Sequence, residues 1–350
     1  MLNEPIYALG DFNIQGEIKN ANLDKLDGNI SSKITNASIV NEVTNTVFKQ
    51  NLKEKINFDL NIDTSLVPNQ AVSKANLQTT IGNLTSQNSV YTFTDDSFNS
   101  DYLLNIPALE KLKDILNMSL KGNIDINGDI TNKEDSLLLT GKANTLGGTF
   151  DFDLKNDKLN ANLKDIDVQE LSAMLDYSKI FNSKANFTLD YDLLLKKGEL
   201  VGKLINGHFL ANNFSLLLNQ LGKFDLNKEV YETLDINSQI DNRILTSDVI
   251  MKSANSQIDI QDSILDLEQK LIDAKINAIV KDKKFIIDVK GETSNPKISL
   301  NAKDLLKEKI DKQLEKKRNK IEEKLNKALG TKAEDEKAKE IINNLKSIVK

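Results

Sequence analysis

The chain of 350 residues has no cysteine and no tryptophan, a single histidine and four prolines, and only 5% of it is aromatic. Without cysteine there is no disulfide framework, thiolate metal site or cysteine nucleophile, and His208 alone cannot build a multi-histidine metal centre. No run approaches the roughly 18 consecutive apolar residues that span a bilayer, and the stretch from Met1 to Gly10 lacks the basic and apolar segments of a signal peptide. A phosphate-cradling loop is missing too, since Gly147-Gly148 precedes a strand pattern and not a helix. These absences remove most hydrolytic, redox and nucleotide chemistry. The chain reads as a non-enzymatic protein that needs no cofactor.

What is present is strict alternation. Successive strand side chains point to opposite faces, so an apolar set recurring at every second position marks a half-buried strand. Met118, Leu120, Gly122, Ile124, Ile126, Gly128 and Ile130 alternate with Ser119, Lys121, Asn123, Asp125, Asn127, Asp129 and Thr131. Runs of the same kind include Phe12/Ile14/Gly16/Ile18, Ile56/Phe58/Leu60/Ile62, Leu137/Leu139/Gly141/Ala143, Ala185/Phe187/Leu189/Tyr191/Leu193/Leu195 and Ala274/Ile276/Ala278/Val280. One greasy and one polar face is the pattern of an antiparallel sheet with a solvated side. Short turn signals, such as Lys-Asn-Asp-Lys at 155–158 and Lys-Asp-Lys-Lys at 281–284, predict that neighbours in sequence pair as hairpins in a long meander. The 42 asparagines sit mostly at polar strand positions and turns.

Helical spacing is brief. Pro107 followed by Leu109, Leu112 and Leu116 predicts one short helix, and Val168, Leu171, Met174 and Leu175 behind a capping Asp167 predict another. The stretch from Phe214 to Tyr231 reads as partly helical. Composition changes after Leu300: residues 302–350 carry 15 Lys+Arg and 10 Asp+Glu, so the net charge of −6 divides into −11 before the tail and +5 within it. Leu306, Ile310, Leu314, Ile321, Leu325 and Ala328 form a narrow stripe, which predicts an amphipathic helix from about Ala302 to Leu329 and a second from about Glu334 to Val349. The expected division is a β-sheet domain over 1–301 and a charged helical tail over 302–350.

Local motifs add little chemistry. Asn123-x-Asp125-x-Asn127-Gly128-Asp129-Ile130-x-x-x-Glu134 matches part of a calcium loop, but Ile124 and Ile126 continue the apolar face begun at Met118, so the polar residues read as the wet face of a strand. His208 beside Gly207 has no sequence-nominated partner for acid–base work and reads as structural. The basic tail has no aromatic residue on which a base would stack, which argues against nucleic acid and for a solvated helix, a membrane surface or a partner protein.

A large single-faced sheet cannot leave its apolar face in water without a partner. Three architectures solve this: a sandwich, a closed barrel, or a curled trough holding a greasy ligand. The mostly aliphatic lining suits acyl chains, which need no directional bonds.

Phe98-x-Ser100-x-Tyr102-Leu103-Leu104 leading into Pro107-Ala108-Leu109, then Gly122-x-Ile124-x-Ile126-x-Gly128-x-Ile130, and the run from Gly147 to Leu154 together resemble the C-terminal region of AsmA-like proteins of Gram-negative bacteria. Leu171 to Leu175 with Tyr177, and Leu189-Asp190-Tyr191-Asp192, belong to the same set. The closing Val289-Lys290-Gly291-Glu292-Thr293-x-Asn295-Pro296-Lys297-Ile298-Ser299-Leu300 is similar to the Gly-Thr-x-x-x-Pro strand that ends many members, with Glu292 inserted between Gly and Thr. The resemblance covers about 98–300. It implies a bridge-like lipid-transfer protein, related to TamB-like and YhdP-like proteins, in which the long antiparallel sheet is curled into an open trough; the alternation and spacing above give this a mainly β fold with short helices and the helical tail. It further implies a periplasmic location, attachment to the inner membrane through an N-terminal segment outside this chain, and a role in outer-membrane lipid homeostasis. The partners so implied are phospholipid acyl chains; contact of the tail with a membrane surface or partner protein is expected from its charge. The residues expected to line the trough are Leu120, Ile124, Ile126, Leu137, Leu139, Phe150, Phe152, Phe187, Leu189, Leu193, Ile276 and Ile287. The alternative is a sandwich or solenoid scaffold with a closed core and no lipid.

Overall fold

A computed structural model describes residues 6–49, 51–134, 136–222, 224–281, 283–300, 313–320 and 323. By contact the chain divides into Met1–Ser299 and Leu300–Lys350. The described residues form one antiparallel sheet of 18 strands that does not close. In chain order these are β1 (Ala8–Asn20), β2 (Asp27–Ile39), β3 (Asn57–Val67), β4 (Gln70–Thr79), β5 (Asn83–Thr92) and β6 (Ser97–Ile106). Next come β7 (Ile124–Lys133), β8 (Ser136–Thr145), β9 (Gly148–Lys155), β10 (Lys158–Asp167), β11 (Phe181–Asp192) and β12 (Lys197–Phe209). The last six are β13 (Tyr231–Asp241), β14 (Ile244–Ser253), β15 (Ser256–Asp266), β16 (Leu271–Val280), β17 (Lys283–Glu292) and β18 (Lys297–Leu300). From β1 to β17 each strand pairs with the next in sequence, as the alternation and hairpin signals predict.

The turns at one end of the strands continue the ladder. Asn69 N–H donates to Leu23 O, Phe93 N–H to Asn69 O, Asn156 N–H to Leu137 O, Leu193 N–H to Asp157 O, Asn242 N–H to Lys196 O, Leu267 N–H to Arg243 O and Thr293 N–H to Lys270 O, all at 2.7–3.0 Å. That rim is therefore hydrogen-bonded turn to turn, which pairs backbone groups that the strand ladder leaves over. Asparagine serves both the turns and the wet face. Asn36, Asn69, Asn117, Asn156, Asn206 and Asn242 take positive φ, which asparagine tolerates better than most residues. On the polar face Asn105 Nδ2 donates to Asp125 Oδ1 at 2.6 Å and Asn160 Nδ2 to Asp153 Oδ2 at 3.2 Å across strand pairs.

Four helices interrupt the meander at the opposite end: α1 (Asn41–Phe48), α2 (Lys113–Leu116), α3 (Val168–Met174) and α4 (Asn213–Gly222). Asp167 caps α3 as expected, accepting from Gln169 N–H and Glu170 N–H. The Pro107 helix is a 3-10 turn over Leu109–Leu112 continued by α2. In the stretch from Phe214 to Tyr231 the helical part is confined to α4 and a 3-10 turn, Leu226–Lys228, with Tyr231 already in β13. Aromatic rings cluster here: Phe209 lies edge-on against Phe181 (5.1 Å between centroids) and Tyr231 (5.5 Å) and at a tilt against Phe214 (5.5 Å).

One strand expectation is corrected. The run from Met118 to Ile130 becomes strand only at Ile124. Lys121 N–H donates to Met174 O and Gly122 O accepts from Leu109 N–H, so this backbone is tied to the helical layer, and Gly122 turns out of the strand at φ +105°. Leu120 accordingly lies in a connection. In the tail, residues 313–320 and Glu323 are helical; the remainder of both predicted tail helices lies outside the described residues.

Three contacts join strand ends far apart in sequence. Arg243, in the turn between β13 and β14, donates from Nη1 to Asn117 O at 2.9 Å and from Nη2 to Leu116 O at 3.2 Å. Lys270 Nζ lies 3.9 Å from Asp176 Oδ2, and Ser178 Oγ donates to Ser294 O at 3.4 Å. Turns at the rim of the late strands thus meet connections at the opposite end of the middle strands.

Candidate functional site

The register assembles one apolar face from residues that the sequence scatters. One row runs Phe12, Ile34, Leu60, Leu77, Leu84, Leu104, Ile126 across β1 to β7. A second runs Ala143, Phe150, Leu163, Phe187, Gly202, Ile236, Val249, Ile260, Ile276, Ile287 across β8 to β17. Beside it runs Gly141, Phe152, Ala161, Leu189, and beyond that a row that begins Ile130, Leu139, Leu154, Leu159, Tyr191. Each row is a line of cross-strand neighbours about 5 Å apart, so the face is laterally continuous.

Ten of the twelve expected lining residues fall on this face: Ile124, Ile126, Leu137, Leu139, Phe150, Phe152, Phe187, Leu189, Ile276 and Ile287. Leu193 does not, because β11 ends at Asp192 and Leu193 opens an exposed turn with Leu194 and Leu195. Asp192 Oδ1 accepts from Leu194 N–H and Leu195 N–H and holds that turn. These hydrogen bonds and the Lys158 ammonium keep the Asp192 carboxyl below the usual carboxylate range.

Burial along the face is graded. At β1 the apolar side chains stand in solvent, with Phe12 65%, Ile14 59% and Ile18 56% exposed. Across the middle strands most are half-buried. At β16 and β17 they are enclosed: Ile276 is 8% exposed and Ala278 and Ile287 are 0%. Near β1 a cleft of about 590 Å³ opens mainly on the polar face instead, along Gln15, Ser31, Asp63, Ser65 and Lys74.

Two features of the face lie beyond period-two reading. The first is a set of hydroxyl rows. Thr64 Oγ1 and Ser73 Oγ are 2.8 Å apart, Ser89 and Ser100 2.7 Å, Ser86 and Ser100 2.9 Å, and Ser238 and Ser247 2.7 Å. Each hydroxyl is satisfied by another, which lets polar residues sit on an apolar face. The second is the pairing of rings with glycines on the next strand: Phe152 lies over Gly141, Phe187 over Gly202 and Phe181 over Gly207. An aromatic flanked by glycine across a strand pair was the available sequence signal.

The other motifs are placed plainly. Asp125, Asn127 and Asp129 lie on the extended strand β7, not on a loop folded around an ion. His208 faces Asn182 across the β11–β12 pair, with Nε2 3.5 Å from Asn182 Nδ2. Among the described residues no helix is long and apolar enough to cross a membrane. Comparison with family models, curated proteins and solved structures finds no match for this chain.

Proposed function

We propose that this chain is a non-enzymatic phospholipid-binding and transfer module of the AsmA-like, bridge-like type. Its sheet curls into a trough whose apolar face shields acyl chains while head groups stay towards solvent at the rim. The observation that carries the reading is the combination of a continuous apolar register with its exposure at β1: an aliphatic surface spans 17 paired strands, yet Phe12, Ile14 and Ile18 are more than half exposed. A sandwich or closed barrel would bury them, since burial of each such side chain is worth about 1.5 to 3 kcal/mol. The contacts of Arg243 with Leu116 and Asn117, and of Lys270 with Asp176, support the curl. The aliphatic lining, with its hydroxyls mutually satisfied, supports a ligand that makes no directional bonds.

The periplasmic setting, the inner-membrane attachment through a segment outside this chain and the role in outer-membrane lipid homeostasis belong to the same reading and rest on the resemblance across 98–300; the contact of the tail with a membrane or partner protein rests on the net charge of +5 over 302–350. A second reading, a scaffold with a packed core, is favoured locally by the burial of Ile276, Ala278 and Ile287. Transfer of a fluorescent phospholipid between donor and acceptor vesicles separates the two. The trough reading expects transfer by the purified chain that falls at least tenfold in Phe187→Asp; a scaffold gives no transfer above the protein-free rate.

A further inference from the structure

The two edges of the sheet are unlike. β18 has four residues, follows Pro296 directly and starts with Lys297. Shortness, proline and lysine are the devices that stop an edge strand from pairing further. β1 is less protected: it is 13 residues long and contains no proline, its one lysine, Lys19, sits near its end at a register shift, and every residue is exposed. Its pairing is with β2 on one side, and no described strand lies on the other. Such an edge presents a row of free N–H and C=O groups beside exposed Phe12, Ile14 and Ile18.

We infer that β1 pairs antiparallel with β1 of a second copy of this chain, about a two-fold axis at Gln15. The register follows from the sequence of the strand. Opposed residues in an antiparallel pair share a face, so apolar positions must meet apolar positions. Centring on Gln15 sets Phe12 opposite Ile18, Ile14 opposite Gly16, Asn13 opposite Glu17 and Asp11 opposite Lys19, each twice by symmetry. Opposite charges thus meet at both ends, and an aromatic meets a β-branched side chain, both favourable cross-strand pairs. The pairing of isoleucine with glycine repeats what β1 already does with β2, where Gly16 faces Ile30 and Ile18 faces Gly28. Moving the centre to Ile14 would set Asp11 opposite Glu17, and moving it to Gly16 would set Phe12 opposite Asn20 and leave Asp11 without Lys19. The interface is isologous and therefore closes at two copies. Because opposed residues share a face, the apolar surfaces of the two copies join into one of twice the length. The inference stands on the edge and its register, whatever ligand the face takes.

The absence of cysteine makes a clean test. In the full chain, Gln15→Cys places two thiols directly opposite at the axis, within disulfide reach. In Asn13→Cys the two thiols are four residues apart along the paired strands, roughly 13 Å at the rise of a strand. Mild oxidation is expected to link Gln15→Cys into a covalent dimer at least tenfold faster than Asn13→Cys. By light scattering the unaltered chain is expected to be a dimer at micromolar concentration. Lys19→Asp, which sets Asp against Asp11, should weaken it at least tenfold, and Asp11→Lys combined with Lys19→Asp should restore it. Circular dichroism of the variants establishes that each is folded, and restoration by the double exchange excludes a folding defect as the cause. A monomeric unaltered chain, equal cross-linking of the two cysteine variants, or a dimer indifferent to Lys19→Asp would each overturn the inference, and a loss of phospholipid transfer without any of these would not.

Discussion

Phe187 on β11 lies across Gly202 on β12, so close that a Cβ added to Gly202 would stand 2.5 Å from the Phe187 Cε1. The ring fills the space that the absent side chain leaves and keeps the apolar row unbroken between Leu163 and Ile236. Gly202→Ala should therefore lower stability by about 1 to 3 kcal/mol, the usual cost of overpacking. Phe187→Leu in the same chain should recover part of it, because the two changes share one contact. Urea unfolding of the two single variants and the double variant measures the coupling, and strict additivity would show that ring and glycine do not depend on one another.

Tyr231 ties alkaline stability to one buried phenol. Burial, with a smaller push from the charge of Glu229, raises its pKa from 10.0 to about 12, and the hydrogen bond between its hydroxyl and Ser256 Oγ at 2.9 Å offsets this only in part. The folded state thus holds the proton more tightly than the unfolded chain. The corresponding stability is full below pH 10 and is lost as pH rises from 10 towards 12, amounting to about 2 to 3 kcal/mol. Tyr231→Phe should remove that slope. Urea midpoints at pH 8 and pH 11.5 should fall further in the unaltered chain than in the variant, and parallel falls would contradict the assignment.

The grip of Arg243 on Leu116 O and Asn117 O should hold one rim of the late strands to the connection after β6. Arg243→Ala should cost only about 1 to 2 kcal/mol globally, as two hydrogen bonds to a charged group partly open to solvent. Its larger effect should be local: faster hydrogen exchange over 113–122 and 241–246, with β1 to β5 unchanged. Uniform exchange throughout would mean that these contacts do not organise the curl.

The grading of the apolar face predicts opposite responses to the same chemical change. Ile287→Asp buries a charge with no partner and should cost about 3 kcal/mol or more, whereas Ile14→Asp, at an exposed position, should stay within about 1 kcal/mol. Equal losses by calorimetry would mean that the face is a uniform core.

Much of this fold was legible because period-two alternation survives in nearly every strand, and alternation alone specifies which side chains share a face. What alternation does not carry is register. The bulges between Thr85 and Ser89 and between Ile260 and Ile264 shift the ladder at Ser86, Asn88, Asp262 and Ser263, which read equally well as polar strand positions. Leu120 fits the pattern of β7 yet lies outside it, since the pull on Lys121 and Gly122 comes from Met174 and Leu109, which no local window contains. Leu193 fails for a related reason: the greasy run continues through a turn that Asp192 closes with its carboxylate. The contact of Arg243 with Asn117 joins residues 126 apart and has no sequence trace at all. Exposure was equally hidden, because Ile14 and Ile287 look alike in a pattern and differ only in what surrounds them.

The central claim, that this face holds acyl chains, is tested most directly by native mass spectrometry of the purified chain, unaltered and as Phe12→Asp with Ile14→Asp. We expect phospholipid adducts on the unaltered chain that survive mild activation, and fewer of them on the doubly substituted chain at unchanged thermal stability. An unaltered chain that repeatedly carries no phospholipid and takes none up from vesicles would contradict the account.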